Sequence, residues 1–133
     1  MARLTIVNDN PELLDLIGEI LEGDRHLTTR IDGNEDGLLD RICRSKPELL
    51  VIDLGHGDEA AHGWRLVQEL RATRGCEGLP VVLCSADLEA LRALEPELAA
   101  ERRVATLSLP FEIDELLKSV GTFIGRQEAP RCS

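Results

Sequence analysis

The chain has 133 residues, 43% of them hydrophobic, with 25 acidic against 15 basic side chains and a formal net charge of −10. That length suits one domain with a single core, the apolar share excludes a chain disordered by composition, and the acidic balance excludes a nucleic-acid surface, which needs a basic patch. No apolar run approaches the roughly 20 residues of a membrane span. The N-terminus enters a strand pattern at once, without an apolar leader, so a cytoplasmic protein that meets other proteins or cations, and no membrane, is expected.

Taken in order, residues 3–8 (RLTIVN) predict a strand and 11–22 (PELLDLIGEILE) a helix, with Leu13, Leu14, Ile17, Ile20 and Leu21 on one face and Gly23-Asp24 closing it. Residues 26–31 (HLTTRI) predict a weaker, alternating strand, and 34–45 a helix carrying Leu38, Leu39 and Ile42, ended by Lys46-Pro47. An apolar run over 48–54 (ELLVIDL) is interrupted by Asp53; a polar loop, 55–62 (GHGDEAAH), and a helix over 63–73 follow. A second buried run spans 79–85 (LPVVLCS), then a helix over 87–102 that Pro96 should break or kink near Glu95. The last strand is 103–108 and the last helix 111–124; a single domain over 1–125 and a short tail over 126–133 are expected. Central strands that are apolar on both faces argue a parallel sheet covered by helices. Right-handed crossovers make that a doubly wound three-layer α/β sandwich, and such sheets bind ligands outside the carboxyl ends of their strands.

The polar residues at those ends are Asn8 and Asp9 after the first strand, Asp53 after the third, Ser85 after the fourth, and Ser108-Leu109-Pro110 after the fifth. Asp9 and Asp53, with a backbone carbonyl just past Asp53, make an oxygen-only site suited to Mg²⁺. A carboxylate in that position can attack phosphorus and become an aspartyl phosphate, with the Ser85 hydroxyl donating to a phosphoryl oxygen and a metal neutralising charge. Two local readings run beside this. Asn8-Asp9-Asn10 before Pro11 is a good helix start, with Asn10 as N-cap, and Ser85 or Asp87 can cap the next helix. His56, Asp58, Glu59 and His62 are metal-ligand types, but their spacing matches no structural zinc pattern and reads as a solvated loop. Trp64 is expected at the start of its helix beside this loop. The four cysteines, Cys43, Cys76, Cys84 and Cys132, include no CxxC spacing and read as reduced thiols, with Cys84 a small buried hydrophobe.

The stretches "IVNDNPELLDLIGEIL", "PELLVIDL", "GWRLVQELR", "LPVVLCSA" and "LSLPFEIDELLKSV" together resemble, in order and spacing, the receiver domains of bacterial two-component response regulators, over residues 2 to about 124. The resemblance implies a flavodoxin-like (βα)5 fold with a five-stranded parallel sheet in the order 2-1-3-4-5. It also implies Asp53 as phospho-acceptor, Asp9 and Asp53 with the Gly55 carbonyl as Mg²⁺ ligands, Asn8 as a ligand through water, and Ser85 as the hydroxyl that contacts the phosphoryl group. The implied partners are a histidine kinase or phosphotransfer protein as donor and a downstream protein target met through the segment 87–124, which carries Arg92, Arg102 and Arg103; homodimerisation is a further option. The expected role is a stand-alone signalling module, a regulated binding domain more than an enzyme.

The sequence departs from that family at defined points. Asn8 replaces the first acid of the acidic pair, Leu109 replaces the lysine before proline, Thr106 replaces a switch aromatic, and the loop after Asp53 is about two residues longer and lacks a proline. Asn8 should weaken metal binding, by ~10-fold or more. Losing one acid and one lysine leaves the formal pocket charge unchanged, so the two changes compensate for the empty site but not for a phosphorylated one. The alternative function is therefore a phosphorylation-independent pseudo-receiver that serves protein interaction or dimerisation. A flavin enzyme is disfavoured by one Trp, two Phe and no Tyr, and an aspartate-nucleophile phosphohydrolase by Gly55 where a second acid is wanted.

Overall fold

The computed structural model describes residues 2–55, 58–101 and 103–124, with the backbone alone at 58 and 59. Strands and helices alternate: β1 (Arg3–Asn8), α1 (Pro11–Gly23), β2 (Leu27–Asp32), α2 (Leu38–Arg44), β3 (Leu49–Asp53), α3 (Asp58–Arg71), β4 (Val81–Ser85), α4 (Leu88–Ala99), β5 (Val104–Ser108) and α5 (Ile113–Phe123). The five strands form one parallel sheet in the order β2-β1-β3-β4-β5. This is the expected flavodoxin-like architecture.

The period-2 alternation of the central strands divides the core into two layers. On one face Leu50, Ile52, Val81 and Leu83 pack under α2, α3 and α4, which contribute Ile42, Trp64, Val67, Leu70 and Leu94. On the other face Leu49, Val51, Val82 and Cys84 meet Leu14, Ile17 and Leu21 of α1 and Leu116 and Val120 of α5. Both faces of β3 and β4 are thus dry, which is why these strands read as continuous apolar runs.

Several boundaries differ from the sequence expectation, each for a local reason. Strand β2 lies one residue later than 26–31, because His26 is a buried loop residue whose Nδ1 accepts from the Ala2 N–H. Helix α2 starts at Leu38, not at 34: Asp32 Oδ1 accepts from the Asn34 N–H in a turn, and Gly37, at φ +71°, supplies the left-handed residue that opens the helix. Helix α3 starts at Asp58, five residues before the expected 63, because Ala60 and Ala61 are strong helix formers and Ala60 is buried. The expected polar loop over 55–62 shrinks accordingly. Helix α4 runs through Pro96 to Ala99 and is not broken near Glu95. Proline there removes one donor to the Arg92 carbonyl, a loss confined to the helix's final turns. Helix α5 starts at Ile113, with Glu112 and Glu115 forming a capping box. Residues 56, 57, 102 and 125–133, which include His56, Arg102, Cys132 and the expected tail, lie outside the described residues.

Candidate functional site

Asp53 is the last residue of β3, flanked by β1 and β4 in the middle of the sheet. Its side chain is partly buried, and both carboxylate oxygens are held. Oδ1 accepts from the Gly55 N–H at 2.7 Å, and Oδ2 accepts from Asn8 Nδ2 at 3.3 Å. Gly55 is at φ +85°, a conformation that residues with a Cβ rarely adopt. Gly63 of α3 lies against the same turn: a Cβ there would sit 3.1 Å from Leu54 Cδ2 and 3.3 Å from Leu54 Cα, so glycine lets the helix approach the loop closely.

Asn8, only 2% exposed at the end of β1, is bonded on both ends of its amide. Its Oδ1 accepts from the Asn10 N–H at 2.8 Å. That bond fixes the oxygen toward Asn10 and turns the NH₂ toward Asp53. An aspartate here would keep the first bond and lose the second, and would set a like charge against Asp53. Asn10 caps α1 through Oδ1, which accepts from the N–H groups of Glu12 and Leu13 at 3.0 and 3.3 Å, with Pro11 at the first helical position. Between them Asp9 is exposed and lines one cleft with Asn8, Asp53, Gly55, Leu38 and His62. Gly33 packs close to the Asp9 backbone, 3.2 Å from its nitrogen to a notional Cβ, and its N–H donates to the Asn8 carbonyl at 3.0 Å. The turn after β2 thereby braces the acidic loop.

Ser85, fully buried at the end of β4, joins the cluster from the other side. Its hydroxyl donates to the Gly55 carbonyl at 3.2 Å and accepts from the Asp87 N–H at 3.0 Å. Asp87, not Ser85, caps α4, accepting from the Ala90 N–H at 3.1 Å. The Ser85 carbonyl accepts from the Leu109 N–H at 2.9 Å, and the Leu54 N–H donates to the Cys84 carbonyl at 2.9 Å. Cys84 pairs with Asp53 across the β3–β4 register, and its thiol is pushed up to about 12 by burial and then by the Asp53 charge.

The chemistry of this donor set suits a hard divalent cation. Asp9 and Asp53 supply two carboxylates, and the Gly55 carbonyl, which accepts one bond from Ser85, retains a second lone pair. With two acids and no thiolate it suits Mg²⁺ better than a softer ion. His62 is the one basic side chain lining the cleft among the described residues. The sequence places it in the polar loop; with α3 beginning at Asp58, the spacing of His62 and Leu66 puts both on one helix face. Leu38 was read only as core.

Other singled-out residues lie elsewhere. Trp64 does not line the cleft: it is buried under α4, and its Nε1 donates to Glu97 Oε1 at 3.2 Å. Leu109 is half-buried beside Leu13, Leu16, Ala86 and Phe111, in an apolar groove next to the cleft and not in it. Thr106 is exposed and faces a groove between α4 and α5 together with Leu91, Arg92 and Glu115. The Arg103 guanidinium reaches the Gly78 carbonyl at 3.4 Å.

No protein-family model matches the sequence, and no curated protein matches it. Solved structures do match in fold. A putative response regulator from Chloroflexus aurantiacus is 22% identical, with 93% of this chain and 98% of that chain covered at a TM-score of 0.75. The response regulator TrrA from Thermotoga maritima, solved with Mg²⁺ and BeF, is 20% identical, with 93% and 100% covered at 0.71. The receiver domain of a sensor histidine kinase from Pseudomonas aeruginosa, solved with a magnesium ion in its active-site cleft, is 21% identical, with 93% and 98% covered at 0.71. The fold of this chain is therefore that of response-regulator receiver domains.

Proposed function

We propose that the chain acts as a receiver domain in two-component signalling, taking a phosphoryl group on Asp53 from a histidine kinase or phosphotransfer protein. One observation carries this reading: Asp53 ends the central strand in the same cleft as Asp9, with the Ser85 hydroxyl one bond away on the Gly55 carbonyl. In the transfer, an Asp53 oxygen forms the new P–O bond as the P–N bond of a phosphohistidine breaks, and the leaving imidazole takes up a proton. Asp9, Asp53 and the Gly55 carbonyl would hold Mg²⁺, which when bound neutralises charge on the phosphoryl group. Asn8 keeps the Asp53 carboxylate oriented, and the Ser85 hydroxyl turns from Gly55 to a phosphoryl oxygen.

Leu109 supplies neither charge nor donor at the position of the resembled family's lysine, so the modified state rests on the metal, Ser85 and backbone N–H groups. Output is then weakened or rewired relative to that family. A target protein would be met through the segment 87–124, where Thr106 leaves a groove between α4 and α5 in place of an aromatic.

The test is to incubate the protein with Mg²⁺ and acetyl phosphate and to weigh it intact, with Asp53→Asn as control. A gain of one phosphoryl group that the control abolishes supports the reading. No gain, together with no response to beryllofluoride, would sink it in favour of the phosphorylation-independent interaction module.

A further inference from the structure

Far from the cleft, at the opposite end of the strands, two thiols touch. Cys43 lies in the last turn of α2, and Cys76 in the loop between α3 and β4, 33 residues apart in sequence. Their sulfurs are 3.6 Å apart, and both are free thiols. No other pair of thiols is in contact among the described residues, and Cys84 is fully enclosed in the opposite core layer.

We infer that Cys43 and Cys76 are a reversible oxidation site, closing to an intramolecular disulfide when the protein meets a hydroperoxide. A disulfide needs the sulfurs at about 2.05 Å, an approach of roughly 1.6 Å from the observed contact. Both flanks can give. Cys76 lies between Gly75 and Gly78, both at positive φ, in a short loop held by single turns such as Cys76 N–H to the Thr73 carbonyl. Helix α2 is only seven residues long and ends one residue after Cys43.

The two sulfurs differ in a way that orders the chemistry. Cys43 is partly exposed and meets the oxidant first. Its thiolate attacks one peroxide oxygen, the O–O bond breaks, and water or an alcohol leaves once protonated, giving a sulfenic acid. Cys76 is buried, and burial holds its thiol well above the ordinary range, so it is a poor first target. Placed against Cys43, its sulfur then attacks the sulfenic sulfur; the S–S bond forms and the oxygen departs as water with the Cys76 proton. Overall two thiols are oxidised, and hydrogen peroxide is reduced to two waters.

The experiment treats the full chain with a small excess of hydrogen peroxide, blocks remaining thiols with an alkylating reagent, and maps the peptides by mass. The expected result is a Cys43–Cys76 linked peptide lighter by two hydrogens, with Cys84 alkylated only after unfolding, and complete reversal by dithiothreitol. Cys43→Ser and Cys76→Ser should each abolish the linked peptide. Because the wild-type map alone decides the matter, a poorly folded variant leaves the test intact. The inference is overturned if the two cysteines stay fully alkylatable, advance singly to sulfinic acid, or link instead to Cys132 or to a second molecule.

Discussion

At the carboxyl ends of β1, β3 and β4, the side chains are polar, mostly buried and joined directly or through the Gly55 backbone: Asn8 to Asp53, the Gly55 N–H to Asp53, Ser85 to the Gly55 carbonyl. At the end of β5 the corresponding side chain is Leu109, which turns into an apolar groove with Leu13 and Phe111. The two regions adjoin along the paired strands β4 and β5, and just beyond the last pair, Ser85 with Ser108, the Leu109 N–H donates to the Ser85 carbonyl. The difference separates two tasks. Holding the Asp53 carboxylate draws only on the inner three strands, which also present the oxygens proposed to hold a cation. Just past the end of β5, where a cation could answer added negative charge, the apolar packing of Leu109 occupies the position.

The largest effect expected from probing the inner strands is alkaline. The Cys84 thiol, about 12 when folded against 9.0 unfolded, keeps its proton in the native state after the unfolded chain has lost it. Its contribution is intact below pH ~9 and falls as pH rises toward ~12, by about 1.4 kcal/mol per unit. Urea unfolding across that range should show a shallower decline for Cys84→Ala; an identical slope would mean that Cys84 titrates alike in both states. Cys76 contributes to the decline in both proteins and cancels in the difference.

Next in size is Asn8→Asp, which removes the bond to Asp53 and adds a like charge. Stability without metal should drop by about 1–3 kcal/mol, while Mg²⁺ should bind about tenfold tighter and recover part of the loss. Unfolding with and without Mg²⁺ measures both; equal loss in the two conditions would remove the cleft's acids from metal binding. The smallest effect belongs to the fifth strand. Leu109→Lys should cost under about 1 kcal/mol, since the leucine is only half-buried and a lysine stem can cover the groove. Combined with Asn8→Asp it should cost less than the sum. Additivity within about 0.5 kcal/mol would show that the two positions do not sense one another.

Much of this molecule was legible in its sequence, because buried parallel strands leave a plain mark. The runs around Val51 and Val82 are apolar at every position, and the turn from Asn8 to Pro11 contains its own cap. The doubly wound sheet and the polar residues at its strand ends followed, while the strand order came from the family resemblance. What was misread depended on competing local signals. In Gly33–Gly37 the Asp32 turn and a left-handed glycine delay the helix that Leu38 and Leu39 announce. In residues 55–62 the polar composition hid two alanines, and with them the position of His62. The contact of Cys43 with Cys76 had no sequence signal at all, because it depends on how α2 settles against the loop before β4. The direction of the Asn8 amide was equally invisible, since it follows from a backbone N–H two residues on.

Ser85 has a consequence beyond holding a hydroxyl in reserve. Its side chain is tied to the loop after β3 and its main-chain oxygen to the start of the segment after β5. If the hydroxyl turns from Gly55 toward a phosphoryl oxygen, as proposed above, the Leu109 amide on the same residue's carbonyl is the hydrogen placed to register it. In deuterated water that one amide is a clock: its exchange rate reads how firmly the fifth strand is clasped to the cleft, without label or partner.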